Sequence, residues 1–195
     1  MAYKVLNNVS VKDVTSSDLL SLKTDLLVIV INKNTKDKVV NQLAKDVSSH
    51  LKESGSSVLV PNAKSFNAKN VLLVKGFQDS DQIHKLISMY QSIAQKGNQL
   101  KAKDISIMPG TVYPKGKCEM WLIEMVAKTI ESNVYIFSET CNKTAKKPSV
   151  KKLNILVSSL TKSDLIKAKN AAKKGYAIGE GCLLYTSDAA DEITG

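Results

Sequence analysis

With 195 residues, 43% hydrophobic and 24% charged, the chain has the material for one medium domain with a packed core, which excludes a disordered or low-complexity polymer. The net charge of +10 comes from 28 basic residues, every one a lysine. Bidentate reading of guanine edges is mainly an arginine skill, so the absence of arginine counts against it, and the charge speaks for solubility and at most for backbone contact with a polyanion.

The N-terminal stretch MAYKVLNNVSVKDV has no basic segment followed by an apolar one, so no secretory signal is expected. Asn8-Val9-Ser10 and Asn142-Lys143-Thr144 match the glycosylation acceptor pattern, which carries no meaning without a secretory route. Leu26 to Ile31 is the longest apolar run. It is far too short to span a bilayer, so no membrane partner is expected, and its continuous branched character predicts a strand buried on both faces. Val39, Val40, Leu43, Ala44, Val47 and Leu51 then follow helical spacing, with Gly55 as a stop.

Ser57 to Val60 predicts a short strand ended by Pro61, and Val71 to Val74 a buried one ended by Gly76. A helix is expected next, opened by Asp79, Ser80 and Asp81, striped by Ile83, Leu86, Ile87, Tyr90, Ile93 and Ala94, and closed at Gly97. Ile105 to Met108 is a further strand. Cys118 to Ser132 is apolar nearly all round, the mark of a helix buried within the fold. Val134 to Phe137 reads as a short strand or extended segment, and Lys143 to Lys152 as an exposed basic linker. Leu153 to Val157 is one more strand, after which Ser163 caps a helix carrying Leu165, Ile166, Ala168, Ala172 and Tyr176. This alternation predicts the α/β class, with a mostly parallel sheet and helices on both faces.

Chemistry is sparse. His50 and His84 fall on polar faces of two different helices, and neither has a second ligand at metal spacing. No nucleophile elbow, Walker loop or Gly-x-Gly-x-x-Gly occurs. The three cysteines, Cys118, Cys141 and Cys182, form no Cys-x-x-Cys pair, which predicts a reduced, cytoplasmic protein. Cys118 opens an apolar helix and is expected to be buried and structural. The loop from Met108 to Lys117 joins a strand to that helix, where an anion could meet a helix N-terminus, although it lacks a phosphate-cradling glycine pattern. The candidate polyanion contacts are Lys115 and Lys117 in this loop and Lys146, Lys147, Lys151 and Lys152 in the linker. No aromatic residue interleaves the linker lysines, so a single-strand stacking platform is not supported. No residue is assigned a catalytic, cofactor-binding or metal-binding role.

The order of segments from Leu26 to Gly181 resembles the N-terminal domain of the leucyl (cytosol) aminopeptidases. The resemblance rests on the strand Leu26 to Ile31, on Asn-Val-Leu-Leu-Val-Lys-Gly at Asn70 to Gly76, and on the run from Trp121 to Ser138. It continues through the basic linker Lys146 to Lys152, the strand Leu153 to Val157 and the helix end Ala171 to Gly181.

It implies a macro-domain-like, non-catalytic domain over residues 1–142 and a linker over 143–152. Residues 153–181 would be a strand and linker helix leading toward a catalytic domain. In that family the catalytic domain binds two divalent metals, zinc or manganese, releases N-terminal amino acids such as leucine from peptides, and assembles as a hexamer. Its metal-ligand motif is absent here, so the resemblance implies an inactive fragment without cofactor. Residues 182–195 depart from the family. Cys182 to Glu192 resembles an in-frame translation of a sequencing adaptor, so this tail is expected to be non-native and to break the helix. The alternatives are a macro-like domain binding a nucleotide or ADP-ribose through the Pro109 to Lys117 loop, and a lysine-rich protein binding DNA without sequence preference.

Overall fold

The computed structural model describes residue 6 and residues 8–31, 40, 51, 53, 55–77, 83–110, 114–134, 148–158 and 160–192, the final nine by backbone alone. Ten elements are described in chain order. They are β1 (Asn8–Asp13), α1 (Ser16–Ser21), β2 (Thr24–Ile31), β3 (Ser57–Pro61), β4 (Ala68–Lys75), α2 (Ile83–Gln99), β5 (Asp104–Met108), α3 (Glu119–Val134), β6 (Lys152–Val157) and α4 (Lys162–Glu192).

The strands form one six-stranded sheet in the order β1-β6-β5-β2-β4-β3. All neighbours are parallel except β3, which runs antiparallel to β4 with Ser57 opposite Val74 and Pro61 opposite Asn70. The apolar run that begins at Leu26 lies at the centre because both of its faces must leave water. Leu26, Val28 and Val30 point to one face, Leu27 and Ile29 to the other, and all five are buried.

The first face is covered by three helices, with Leu86, Tyr90 and Ile93 of α2, Leu122, Val126 and Ile130 of α3, and Ala168 and Ala172 of α4 in one cluster. The second face is covered by Leu19 of α1 together with Val40, Leu51 and Phe66. The α/β class, the mostly parallel sheet and the helices on both faces are therefore all present, as the alternation predicts.

Helices α3 and α4 run parallel and very close. A methyl group at Gly175 would overlap the Glu124 carbonyl oxygen, and one at Gly179 would come within 2.9 Å of the Lys128 carbonyl oxygen. Lys174 adds an ion pair to Glu124 at 3.1 Å. The Tyr176 hydroxyl donates to the Leu6 carbonyl at 3.1 Å and ties the same helix to the N-terminal segment.

Several boundaries differ from the sequence reading. Gly97 does not end α2. It is a buried helical residue, where a Cβ would meet Ile105 and Val150. The helix ends at Gln99, and Lys101 supplies the left-handed residue beyond it, with φ of 52°. The cap of α4 is Thr161 rather than Ser163, because the Thr161 hydroxyl oxygen accepts the Asp164 N–H at 3.1 Å. The helix does not break at Cys182 either. Ala168, Ala172, Gly175, Gly179 and Leu183 share one buried stripe, Leu183 is 8% exposed, and the backbone stays helical to Glu192. Gly181 lies on the exposed side, where nothing requires a turn.

β1 and α1 were not predicted at all. Most of the Val39 to Leu51 stripe, His50, Asp79 to Asp81, Tyr135 to Phe137, Cys141, Lys146 and Lys147 fall outside the described residues. Only Val40 and Leu51 of that stripe are described, and both are buried.

Candidate functional site

The chain leaves β2 toward β4 on one side and leaves β5 toward β6 on the other. The two connections diverge above neighbouring strands, so the carboxyl ends of β2 and β5 are the place where this topology opens a crevice. Ile31 closes β2, and its carbonyl accepts the Gly76 N–H at 2.9 Å, which ties the end of β4 beside it. From β5 the chain passes through Met108, Pro109 and Gly110. The Gly110 N–H donates to the hydroxyl of Tyr90, and burial pushes that hydroxyl well above its ordinary range. Tyr90 is thus a buried strut beneath the loop and carries no charge that a reaction could use.

Beyond the loop, Pro114 is buried and its carbonyl accepts the Lys117 N–H at 2.9 Å, making a turn. Gly116 stands in that turn with φ of 77°, a conformation that costs an L side chain strain. The Cys118 carbonyl accepts the first helical N–H, from Leu122 at 3.2 Å. Lys115, Lys117 and Cys118 are all exposed. Cys118 is therefore not the buried structural cysteine expected from sequence. It sits ahead of the helix, and the buried face begins only at Leu122. The Lys117 ammonium lies 5.6 Å from the centre of the Trp121 ring.

The N-termini of α3 and α4 lie side by side. Burial, and after it the nearby Asp164, raise the Glu119 carboxyl above the ordinary carboxylate range. The Asp164 carboxyl is lowered, first by the Thr161 hydroxyl and then by Lys167 at 3.0 Å. Both helix starts thus already hold their own carboxylates. Among the described residues no three His, Cys, Asp or Glu side chains gather where they could hold a metal ion. His84 is exposed on α2.

The candidate lysines are not brought together. Lys115 and Lys117 lie at the carboxyl end of the sheet, whereas Lys151 and Lys152 lie at its amino end, where both of their N–H groups donate to the Lys103 carbonyl, at 2.8 and 3.2 Å. Sequence reading also missed a polar row on the second face. The Ser10 hydroxyl donates to Asn154 at 2.8 Å, Asn154 donates to the Ser106 hydroxyl at 3.1 Å, and Ser106 donates to Thr24 at 3.1 Å. At its end Asp104 accepts from the Thr24 hydroxyl and the Asp25 N–H. Asp25 in turn accepts the Lys103 N–H at 2.8 Å and pairs with Lys69 at 2.6 Å. The available signal was a single polar residue flanked by apolar ones in each of β1, β5 and β6.

No protein-family model matches the sequence, and no curated protein matches it. Solved structures do match, and they define the class as a macro-like α/β fold. One is a tomato leucine aminopeptidase mutant, 18% identical with a TM-score of 0.56, matched over 84% of this chain and 35% of that one. The chain thus spans about a third of that enzyme's length. A second is the macro domain of ganglioside induced differentiation associated protein 2, 17% identical with a TM-score of 0.57 over 84% of this chain and 83% of that one. A third is a Trypanosoma brucei macrodomain in complex with ADP, 13% identical with a TM-score of 0.54 over 86% and 70%. Among the described residues no helix is long and apolar enough to cross a membrane.

Proposed function

We propose that this chain is the N-terminal, non-catalytic part of a leucyl aminopeptidase whose catalytic domain takes two divalent metals and releases N-terminal residues from peptides. The observation that carries the reading is α4. Its residues 162–181 follow β6, the last described strand, and are locked to α3 by the Gly175 and Gly179 contacts. A helix that follows the last described strand and is anchored against the helix layer of the domain suits a connector to a following domain. The match over 35% of the tomato enzyme supports the same reading. The metals would belong to that following domain, and no step of peptide hydrolysis is assigned to residues of this chain. Hexamer formation and a cytoplasmic location come with the reading. The non-native origin of residues 182–195 rests on their sequence resemblance alone, since the helix continues through Cys182.

The test is to sequence the gene from source DNA across the codons for Gly181 and Cys182. A frame continuing into a domain with lysine, aspartate and glutamate metal ligands is the expected result. A frame ending as written removes the reading. In parallel, the 195-residue chain with added manganese or zinc should not release leucine from a leucyl peptide.

A second reading, a macro-like domain for ADP-ribose or a related nucleotide, is favoured by the match over 83% of a macro domain and by the loop at the carboxyl end of β5. It predicts calorimetric ADP-ribose binding that Lys115→Ala and Lys117→Ala weaken. Binding that ignores both substitutions counts against it.

A further inference from the structure

β3 is the last strand of the sheet, and its outer edge is open among the described residues. The Asn62 N–H donates to the Lys69 carbonyl, and the Lys75 N–H to the Ser56 carbonyl. Bonded residues alternate along an antiparallel ladder, so Val58 and Val60 turn their backbone groups toward β4, while Ser57, Leu59 and Pro61 turn theirs outward. Such an edge is commonly guarded by charge. β1, at the other edge, carries the exposed Lys12 and Asp13. Ser56 to Pro61 holds no charged residue in a chain of 28 lysines, and Leu59, at the middle of β3, is 37% exposed. One cation stands beside this edge. The half-buried Lys96 ammonium of α2 donates to the Ser57 hydroxyl oxygen at 2.5 Å and forms no ion pair among the described residues. The Ser57 hydroxyl keeps its own hydrogen to give, with no acceptor among the described residues. Ammonium and hydroxyl together offer two donors to one carboxylate at the side of the strand.

We infer that the β3 edge is a docking surface for an extended segment of a partner protein, which adds as an antiparallel strand and brings an acidic side chain to Lys96 and Ser57. Main-chain pairing supplies the affinity in such a complex, and the alternating side chains supply the selection. The partner residue opposite Leu59 is apolar. The residue opposite Ser57, on the same face, is an aspartate or glutamate. The residue between them lies on the other face beside Val58 and Val60, which pack half-buried against the second cluster, so it is apolar too. A second copy of this chain fits the edge less well. Twofold pairing centred on Leu59 would set Pro61 opposite Ser57, which loses a ladder hydrogen bond and leaves Lys96 without a carboxylate. This inference goes beyond the aminopeptidase reading and stands on separate observations.

The test is fluorescence anisotropy of the full chain with the fluorescein-labelled hexapeptide Thr-Thr-Val-Val-Glu-Thr at low salt, and with the same peptide carrying glutamine for glutamate. The glutamine peptide should bind about tenfold more weakly, the effect of losing a charge-assisted hydrogen bond. Lys96→Met should weaken the glutamate peptide by about the same factor and leave the glutamine peptide within about twofold, so that the two losses do not add. In the antiparallel register the N–H groups of the glutamate and of the first valine face β3. Methylating those two nitrogens should abolish binding, whereas methylating the second valine nitrogen should leave it within about threefold. Circular dichroism verifies that Lys96→Met is folded. If it is not, Ser57→Ala, which removes the other donor, should narrow the preference for glutamate to about threefold or less. Equal binding of the glutamate and glutamine peptides overturns the inference, as does no binding of either by the parent. Equal losses from methylation at both sets of nitrogens also overturn it. So does a dimer in sedimentation that Leu59→Lys converts to monomer, which would give the edge to a second copy.

Discussion

Two glycines in α4 face opposite environments, and the same substitution should have opposite signs at them. At Gly175 an added methyl meets the Glu124 main-chain oxygen, which cannot rotate away, so α3 and α4 must separate. Overpacking of this kind costs about 1–3 kcal/mol, more than the roughly 1 kcal/mol that alanine gains over glycine within a helix. At Gly181 nothing lies within 4 Å, so only the helix-propensity gain remains. Urea unfolding should show Gly175→Ala destabilised by about 1–2 kcal/mol and Gly181→Ala stabilised by about 0.5–1 kcal/mol. Equal shifts at both sites would sink the close-contact account. Asp25 gives a pH-dependent counterpart. Its carboxyl is held below the usual range by the Lys69 ammonium against the opposing effect of burial, with the Lys103 N–H adding to the lowering. A depressed folded value contributes stability that is fully present above the unfolded value of about 3.9 and is lost as pH falls through the folded one. Asp25→Asn should therefore lower the urea midpoint at pH 7, and its gap from the parent should close as pH falls below the ordinary carboxylate range. A gap that is unchanged at acid pH would assign the effect to lost packing instead.

At the scale of elements, the end of α4 is the sharpest test. If the helix broke at Cys182, Leu183 would sit in solvent and Leu183→Ala would be neutral. In the structure Leu183 is 8% exposed and packs with the first-face cluster, so removing its side chain should cost about 2 kcal/mol or more in thermal or urea unfolding. The sequence suggested a break because the lysines stop there, yet the buried stripe depends on one residue in every three or four, and Leu183 continues it from Gly179. The four parallel strands β2, β4, β5 and β6 were legible because burial on both faces demands continuous branched apolar runs. β1 was not legible. As an edge strand it shows only Val9 and Val11 against exposed polar residues, a pattern too short to separate from a loop. Gly97 misled because glycine serves both as a helix stop and as a point of close approach, and only the neighbouring Ile105 and Val150 decide which. The loop at Pro109 was readable as a strand-to-helix connection.

The molecule as a whole has two apolar clusters on either side of a single sheet, and the strands themselves join them. β2 sends Leu26, Val28 and Val30 to one cluster and Leu27 and Ile29 to the other. β4 does the same with Leu72 and Val74 against Val71 and Leu73. The packing of the two clusters is coupled, because successive residues of each strand serve opposite faces and one paired backbone carries both. The two halves of the core should therefore unfold as one cooperative unit. The single tryptophan offers a direct check. Trp121 packs against the first-face cluster, so its fluorescence reports that side only. Leu73 belongs to the second-face cluster and is 0% exposed. Leu73→Ala should lower stability by about 2–4 kcal/mol. That loss should appear in full in the Trp121 transition and coincide with the loss of secondary structure followed by circular dichroism. A Trp121 midpoint that stayed in place while the circular dichroism shifted would mean that the two faces melt separately, with the sheet failing to couple them.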